Sequence, residues 1–186
     1  MITSILEYLE SSASRYPDKT AFADLDATCT FEELRLRARR VGTALAEHFA
    51  PRNPVPVFME KSVDTIGMFM GAVYAGCFYV LLDTKQPAAR ISQILDMLDR
   101  NEIVTSSKDQ KGTILLTEEL EKTPEDCFVL KSIRDQALDT DPLYGIFTSG
   151  STGVPKGVVV GHRSVIDFID CFTELFHITG EDVMGN

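Results

Sequence analysis

The amino-acid sequence predicts an α/β fold, in which a doubly wound, mostly parallel sheet is flanked by helices. Short strand-like runs alternate along the chain with helical segments of roughly 10 to 15 residues, which is typical of parallel strands joined by crossover helices. The composition is that of a globular domain, with 44% hydrophobic and 25% charged residues. At 186 residues without an internal repeat, the chain has the length of one domain.

The first third of the chain is predicted to hold a helix, two short strands and a longer helix. The first helix rests on apolar residues at helical spacing, namely Ile2, Ile5, Leu6, Leu9 and Ala13. Residues 21–24 and 28–30 are strand-like on either side of a turn. Thr30 and Glu33 then form a capping box, in which each side chain binds the other residue's backbone amide. The helix that they open carries an apolar stripe of Leu34, Ala38, Val41, Leu45 and Phe49.

The rest of the chain continues this alternation. Strands are predicted over residues 55–59, 78–82, 103–105, 113–116, 143–147 and 158–160, and residues 128–130 are a further candidate strand. Helices are predicted over residues 62–75 and 88–100. A last helix is expected to turn five apolar side chains inward, at Val165, Phe168, Ile169, Phe172 and Phe176. The polar stretches 106–112 and 134–142 are expected to be the least ordered.

One uncharged run, residues 65–82, approaches the length of a transmembrane helix. Asp64 and Asp83 bracket the run closely, however, and three glycines interrupt it. A buried helix that stops at Gly76, followed by a central strand, explains the run better. No membrane span is therefore predicted.

The net charge and the positions of the cysteines argue against several classes of protein. The net charge of −10 argues against binding to nucleic acid or to anionic membranes, because an acidic surface repels phosphate groups. The four cysteines lie far apart without a C-x-x-C pair or a Cys/His cluster, which gives no support to a zinc site and predicts reduced thiols in the core. The N-terminus also lacks the basic start and apolar stretch of a secretory signal. Both observations predict a cytoplasmic protein.

The chemistry of the sequence is concentrated in one loop, TSGSTGVPKG, at residues 148–157. Its glycines let backbone amides face a ligand without a Cβ in the way, and successive amides of this kind form a nest for anionic oxygens. Its hydroxyls add donors, and Lys156 adds a mobile positive charge that suits phosphate. Residues 142–166 contain no Asp or Glu, so the stretch around the loop is positive in an acidic chain.

The loop differs from a Walker A motif, which requires G-x-x-x-x-G-K-[ST] at the start of a helix. The three valines that follow Gly157 predict a strand instead, so no helix dipole would assist phosphate binding. From composition alone, the alternative is an exposed Gly/Ser hairpin with a surface lysine.

Three motifs resemble the superfamily of enzymes that form acyl- and aminoacyl-adenylates. TSGSTGVPKG, with Val158 and His162 after it, resembles the ATP-phosphate loop of acyl-CoA synthetases, luciferases and nonribosomal peptide synthetase adenylation domains. AGCFYVLLDTKQPAARI at residues 75–91 is similar to a motif typical of the amino-acid-activating branch, although Cys77 and Thr84 depart from it. TFEEL at residues 30–34 resembles a motif near the family's N-terminus.

The resemblance implies a reaction and its participants. A carboxylate, in this branch an amino acid, attacks the α-phosphate of ATP to give an adenylate and pyrophosphate, with Mg²⁺ screening the phosphates. Transfer to the phosphopantetheine thiol of a carrier protein, or to coenzyme A, would follow. The loop would neutralise charge on the leaving pyrophosphate. The residues that the resemblance assigns to the β- and γ-phosphates are Thr148, Ser149, Gly150, Ser151, Thr152, Gly153 and Lys156.

The motifs that contact adenine, ribose and the acyl group lie further along in longer family members. Residues 1–186 are therefore expected to be the N-terminal portion of an AMP-binding (adenylation) domain, inactive alone, without a catalytic residue or metal ligand of their own. A D-alanine–carrier protein ligase and a first-module peptide synthetase both fit. The alternatives are a segment of an acyl-CoA ligase, or a non-catalytic nucleotide-binding or interaction module. His162 is interpreted as a junction residue whose ring is satisfied locally, and Asp83 as the cap of the next helix.

Overall fold

A computed structural model describes residues 2–108, 112–148 and 155–185 of the chain. Within these ranges the strands are β1 (Thr20–Ala23), β2 (Thr28–Thr30), β3 (Pro54–Phe58), β4 (Phe78–Leu82), β5 (Glu102–Thr105), β6 (Thr113–Leu116), β7 (Pro142–Thr148) and β8 (Lys156–Gly161). The helices are α1 (Leu6–Arg15), α2 (Phe31–His48), α3 (Val63–Tyr74), α4 (Ala88–Leu98), α5 (Thr117–Leu120), α6 (Cys127–Asp135) and α7 (His162–Leu175).

Within the described residues, the main sheet has six strands in the spatial order β6-β5-β3-β4-β7-β8, and β1 with β2 forms a separate antiparallel pair. All neighbours in the main sheet are parallel except β7 and β8. The chain passes from β3 to β4 on one side and then returns to β5 on the other side of β3. This reversal makes the sheet doubly wound and mostly parallel, which confirms the predicted fold class.

Helices cover both faces of the main sheet. On one face, Val41 and Leu45 of α2 and Met68 of α3 join Val57 of β3 and Val104 of β5 in a single buried cluster. On the other face, α4 packs its buried isoleucines against alternate residues of β4. Residues of one strand thus divide between two cores, as expected for a buried parallel sheet.

The orientation of the strands defines two edges of the sheet. The amino edge is formed by the starts of β3, β4, β5, β6 and β7, and the carboxyl edge by their ends. Because β8 is antiparallel to β7, it runs from the carboxyl edge back to the amino edge, where α7 begins. The last residue of β7 and the first residue of β8 therefore both lie at the carboxyl edge.

The predicted start of α2 is confirmed atom by atom. The backbone amide of Glu33 donates to Thr30 Oγ1 over 3.2 Å, and the amide of Thr30 donates to Glu33 Oε2 over 2.9 Å. Further along, α2 and α3 cross at very short range, since a Cβ on Gly71 would lie 2.3 Å from Val41 Cγ1. Only glycine permits this approach of the two helices.

The uncharged run folds as predicted into a buried helix and a strand. α3 ends at Tyr74, Gly76 adopts a φ of +71°, and β4 begins at Phe78. A left-handed φ at this position favours glycine, which explains the stop. Across the ranges that the structure describes, no helix combines the length and the apolar character needed to cross a bilayer.

Three expectations about individual residues are wrong. Residues 128–130 lie in α6 rather than in a strand, because the Asp126 carboxylate accepts the amides of Phe128 and Val129 and starts a helix. In α7, Phe168 and Phe176 are 63% and 59% exposed, since the helix lies over the outermost strand of the sheet. All four cysteines are free thiols, but Cys127 and Cys171 are exposed, so the core prediction holds for only two.

Candidate phosphate-binding site

The candidate loop is carried by the β7–β8 hairpin at the carboxyl edge of the sheet. β7 pairs on its other side with the buried strand β4, which ties the hairpin to the centre of the fold. Thr148, the last residue of β7, and Lys156, the first residue of β8, are register partners. Thr148 Oγ1 donates a long hydrogen bond, 3.5 Å, to the carbonyl oxygen of Lys156. The hairpin therefore holds the two ends of the loop side by side.

A glycine next to the loop fixes the start of β8 on the core. Gly157 and Phe147 are register partners, and a Cβ on Gly157 would lie 3.1 Å from two atoms of the Phe147 ring. Phe147 in turn packs against the buried cluster of β4 and α4. The sequence pattern indicated only backbone freedom at Gly157, whereas the fold uses this glycine to admit an aromatic ring.

The ammonium group of Lys156 is available to bind an anion at the loop. Its side chain is exposed, and it forms no ion pair with any residue in the described part of the chain. Arg163, the other cation of residues 142–166, instead binds Asp139 over 2.9 Å and Asp167 over 3.3 Å. The buried ring of Pro155 anchors the backbone just before Lys156. An anion at the loop would therefore find one uncompensated ammonium group beside it.

The structure describes only two of the seven predicted site residues, and their phosphate role stays a prediction. It places Thr148 and Lys156 together at the two ends of the loop. The other five, Ser149, Gly150, Ser151, Thr152 and Gly153, lie outside the described residues. A strand follows Lys156, which confirms the predicted difference from a Walker A motif.

A family model described as AMP-binding enzyme matches residues 9–185, which is nearly the whole chain. The chain belongs to the AMP-binding enzyme family. This membership agrees with the resemblance seen in the sequence.

Curated relatives of this AMP-binding chain include ligases and peptide synthetases. It is 32% identical over 187 residues to a mycosubtilin synthase protein of Bacillus subtilis, covering 97% of this chain and 7% of that protein. It is 31% identical over 179 residues to the D-alanine–D-alanyl carrier protein ligase of Staphylococcus aureus, covering 94% of this chain and 35% of that protein. The chain thus spans a small share of the length of both relatives.

Solved structures show the same fold. The nonribosomal peptide synthetase FmoA3, in an AMPPNP-bound form, matches with a TM-score of 0.81 at 27% identity, covering 97% of this chain and 19% of that one. VinN matches with a TM-score of 0.80 at 18% identity, covering 96% of this chain and 51% of that one. At this identity VinN supports the fold alone.

His162 lies at the far end of β8 from the loop, as the first residue of α7. Its ring is 6% exposed, and its Nδ1 accepts the backbone amide of Ile5 over 3.2 Å. Burial lowers the pKa of His162 and the charge of Arg134 lowers it further, while Asp141 opposes them. The interpretation of His162 as a junction residue is confirmed, with a hydrogen bond at Nδ1, and its position at the amino edge takes it away from the loop.

Asp83, in contrast, does not cap α4. The N-cap position of α4 is Pro87, which makes no side-chain cap bond. Asp83 Oδ1 instead accepts the amide of Lys85 over 2.9 Å and shapes the turn between β4 and α4. The prediction fails because the residues of this turn, Pro87 among them, separate the carboxylate from the first turn of the helix.

The described residues near the loop do not fit a protein-held Mg²⁺. Mg²⁺ prefers carboxylate oxygens, and residues 142–166 contain neither Asp nor Glu. In the part of the chain that the structure describes, no group of three His, Cys, Asp or Glu side chains could hold a metal ion. Any carboxylate ligand of a Mg²⁺ at this hairpin would have to come from outside residues 142–166.

Proposed function

We propose that this chain supplies the ATP-phosphate loop of a ligase that activates an amino acid, and that residues 1–186 form the N-terminal portion of its adenylation domain. The observation that carries this proposal is the pairing of Thr148 with Lys156, which brings a hydroxyl and a free ammonium to the two ends of a Gly/Ser/Thr loop. The peptide synthetase and D-alanyl carrier protein ligase relatives support an amino-acid substrate and a carrier protein as partner.

In the proposed reaction, a carboxylate oxygen of the amino acid attacks the α-phosphorus of ATP. An O–P bond forms to give the aminoacyl-adenylate, the bond from that phosphorus to the bridging oxygen breaks, and pyrophosphate leaves with the electron pair. The phosphopantetheine thiol of a carrier protein then takes the aminoacyl group and releases AMP.

The contribution of this chain to the reaction is electrostatic. Lys156 and the hydroxyl of Thr148 hold the β- and γ-phosphates, and the ammonium neutralises charge that develops on the leaving pyrophosphate. Mg²⁺ bound to ATP would screen the remaining charge. Because Lys156 begins a strand and not a helix, the charge of its side chain has no helix dipole to assist it.

Titration of the chain with AMPPNP tests the phosphate site directly. Lys156→Ala is expected to weaken binding about tenfold or more, because a charge-assisted hydrogen bond is lost, and Lys156→Arg should recover part of the affinity. Lys122→Ala is the matched control, since Lys122 is 67% exposed and pairs with Glu119 away from the hairpin. Equal AMPPNP affinity for wild type and Lys156→Ala would remove Lys156 from the phosphate role.

Carboxylate-dependent ATP–pyrophosphate exchange tests whether residues 1–186 can catalyse adenylation by themselves. We expect residues 1–186 alone to bind nucleotide without catalysing exchange. Robust exchange by this chain would refute its assignment as the N-terminal portion of an adenylation domain, while leaving the phosphate role of Lys156 intact.

A further inference from the structure

The outer side of β8 has no neighbouring strand among the described residues. β8 is the last strand of the main sheet, and its pairing partner is β7 alone. In an antiparallel pair only alternate residues of a strand bond the neighbour, so about half of the amide and carbonyl groups of β8 point outward. Within the described part of the chain, residues 156–160 make no backbone hydrogen bond outside the β7–β8 pair.

Nothing in the sequence of β8 protects this edge from a further strand. Its centre is three valines, which favour β structure, and neither a proline nor a charged residue lies between Gly157 and Gly161. Val158 and Val159 point to opposite faces of the sheet, and each is more than half exposed. A strand that pairs with β8 would therefore find the outer edge and both faces open.

α7 carries an aromatic ladder on its outer flank. The ring centroids of Phe168 and Phe172 are 5.5 Å apart, and those of Phe172 and Phe176 are 4.6 Å apart. At about 100° per residue, the three rings lie on the flank opposite Asp170. Asp170 accepts the hydroxyl of Tyr8 in α1, and α1 packs with α2 and α3 towards the centre of the sheet. The ladder therefore faces away from the centre, as does the outer edge of β8.

The charges of α7 lie away from this flank. Its three carboxylates, Asp167, Asp170 and Glu174, share the side of the helix that is opposite to the ladder. The outer edge of β8 and the α7 flank of Phe168, Phe172 and Phe176 thus form one surface without a carboxylate, here called the outer margin. In a chain with a net charge of −10, such a surface is where a second copy can approach with the least repulsion.

A second copy of the chain can complete both parts of the outer margin at once. α7 covers the face of the sheet that carries Tyr144, because Val165 packs in the cluster to which Tyr144 belongs. A two-fold axis perpendicular to the sheet would place the two β8 strands antiparallel and both α7 helices on this same face, ladder against ladder. The two Lys156 ammonium groups would lie on the order of 15 Å apart along the paired strands, so they would repel little.

The uncovered surface approaches the size of a stable interface. Phe168 and Phe176 alone expose roughly 240 Å², at about 200 Å² for a whole aromatic side chain. Leu175 on the same flank, and Ile146 and Val158 on the face that α7 covers, add exposed apolar surface. Monomeric proteins seldom leave more than a few hundred Å² of continuous apolar surface open, whereas a standard interface buries about 800 Å² per partner.

We propose that the outer margin is the interface of a symmetric dimer of this chain, in which β8 pairs with β8 and the aromatic ladder packs on its counterpart. Backbone hydrogen bonds would join the two sheets, and burial of the phenylalanine rings would supply most of the affinity. Because the two-fold axis uses the outer margin of both copies, association should stop at the dimer.

Sedimentation equilibrium from about 1 to about 300 µM tests the proposal with the wild-type chain. We expect a monomer–dimer equilibrium with a Kd on the order of 10 µM. Amide hydrogen exchange locates the contact without a variant. The outward amides of residues 158–160 should exchange more slowly as the concentration rises, while the amides of β1 should not change.

Two variants at exposed positions of the outer margin test its two parts. Val159→Lys puts a charge on the pairing strand, and Phe168→Ser removes a ring of the ladder, so each should raise the Kd about tenfold or more. Leu25→Lys and Leu138→Ser are the matched controls, since both leucines are exposed outside the outer margin. The controls should dimerise as wild type does.

Three results would overturn the proposal. The first is a wild-type chain that stays monomeric over the whole range, which would leave the outer margin to another occupant, such as a later segment of a longer adenylation domain. The second is a dimer that Val159→Lys and Phe168→Ser leave as tight as in wild type. The third is a mass that rises beyond the dimer. None of them changes the AMPPNP affinity that tests the phosphate role of Lys156.

Discussion

The two edges of the sheet are built in opposite ways. At the amino edge, residues far apart in sequence are tied together: His162 accepts from Ile5, Arg134 Nη2 binds Glu7 Oε1 over 2.9 Å, and Arg52 binds Asp141. At the carboxyl edge, one hairpin pair holds the ends of the loop, and Lys156 is left unpaired by the described residues.

The carboxyl edge also leaves apolar surface uncovered. Ile146 and Val158, register partners just below the loop, are 50% and 54% exposed. The difference between the edges indicates that the amino edge supplies stability, whereas the carboxyl edge presents the candidate site with little support around it. Changes of folding free energy should therefore concentrate at the amino edge, and changes of nucleotide affinity at the carboxyl edge.

The largest effect on stability is expected for His162→Ala at the amino edge. This change removes the acceptor of the Ile5 amide and enlarges a cavity, so the free energy of unfolding should fall by about 2–4 kcal/mol in urea titrations. His162→Asn, which keeps an acceptor near the position of Nδ1, should lose clearly less. A loss of unfolding free energy below about 0.5 kcal/mol for His162→Ala would contradict the conclusion that the amino edge supplies stability.

A smaller effect is expected for Gly157→Ala, where the hairpin meets the core. The added Cβ would press on the Phe147 ring at 3.1 Å, which should cost about 1–2 kcal/mol of unfolding free energy. Gly180→Ala is the control, since a Cβ there has its nearest neighbour at 3.8 Å. Equal stability of the two variants would show that the carboxyl edge is looser than the Phe147 contact indicates.

Acidification should act on the amino edge through His162. Its pKa is lowered in the folded chain, so the unfolded chain binds more protons between the folded pKa and the ordinary value near 6.5. The free energy of unfolding should therefore begin to fall as the pH drops below about 6.5. Urea titrations at several pH values should show a shallower decline for His162→Asn than for wild type, and identical slopes would exclude His162 as the cause.

The smallest effect on stability is expected for Lys156→Ala. The side chain is exposed without an ion pair in the described part of the chain, so the free energy of unfolding should change by less than about 0.5 kcal/mol. The same variant is the one expected to weaken AMPPNP binding. A marked loss of stability would mean that Lys156 supports the hairpin instead of serving a ligand.

Features set by neighbouring residues could be predicted from the sequence. The capping box of Thr30 and Glu33, the stop at Gly76 and the strand after Lys156 all depend on residues a few positions apart. Phe128–Leu130 was too short a run for periodicity to decide between helix and strand, although Asp126 before it was a usable cap signal.

Features set by distant residues could not be predicted. The bond from Ile5 to His162 joins residues 157 positions apart, and the described lining of a cavity near the amino edge comes from five helices and a strand. The exposure of Phe168 depends on α7 lying over an outermost strand, which the helical period cannot reveal. For the loop itself, the residue types indicated the chemistry, and the Thr148–Lys156 register added the geometry.

Because β8 runs antiparallel to β7, this one strand joins the carboxyl edge of the sheet to the amino edge. β8 has six residues, a span of roughly 20 Å in extended strand, with Lys156 at one end and His162 directly after the other. Because the Gly157–Phe147 register holds this strand in place, it cannot slip by a residue without turning its side chains over. The positions of Lys156 and of His162, whose Nδ1 accepts the Ile5 amide at the start of α1, are therefore set by one and the same strand register.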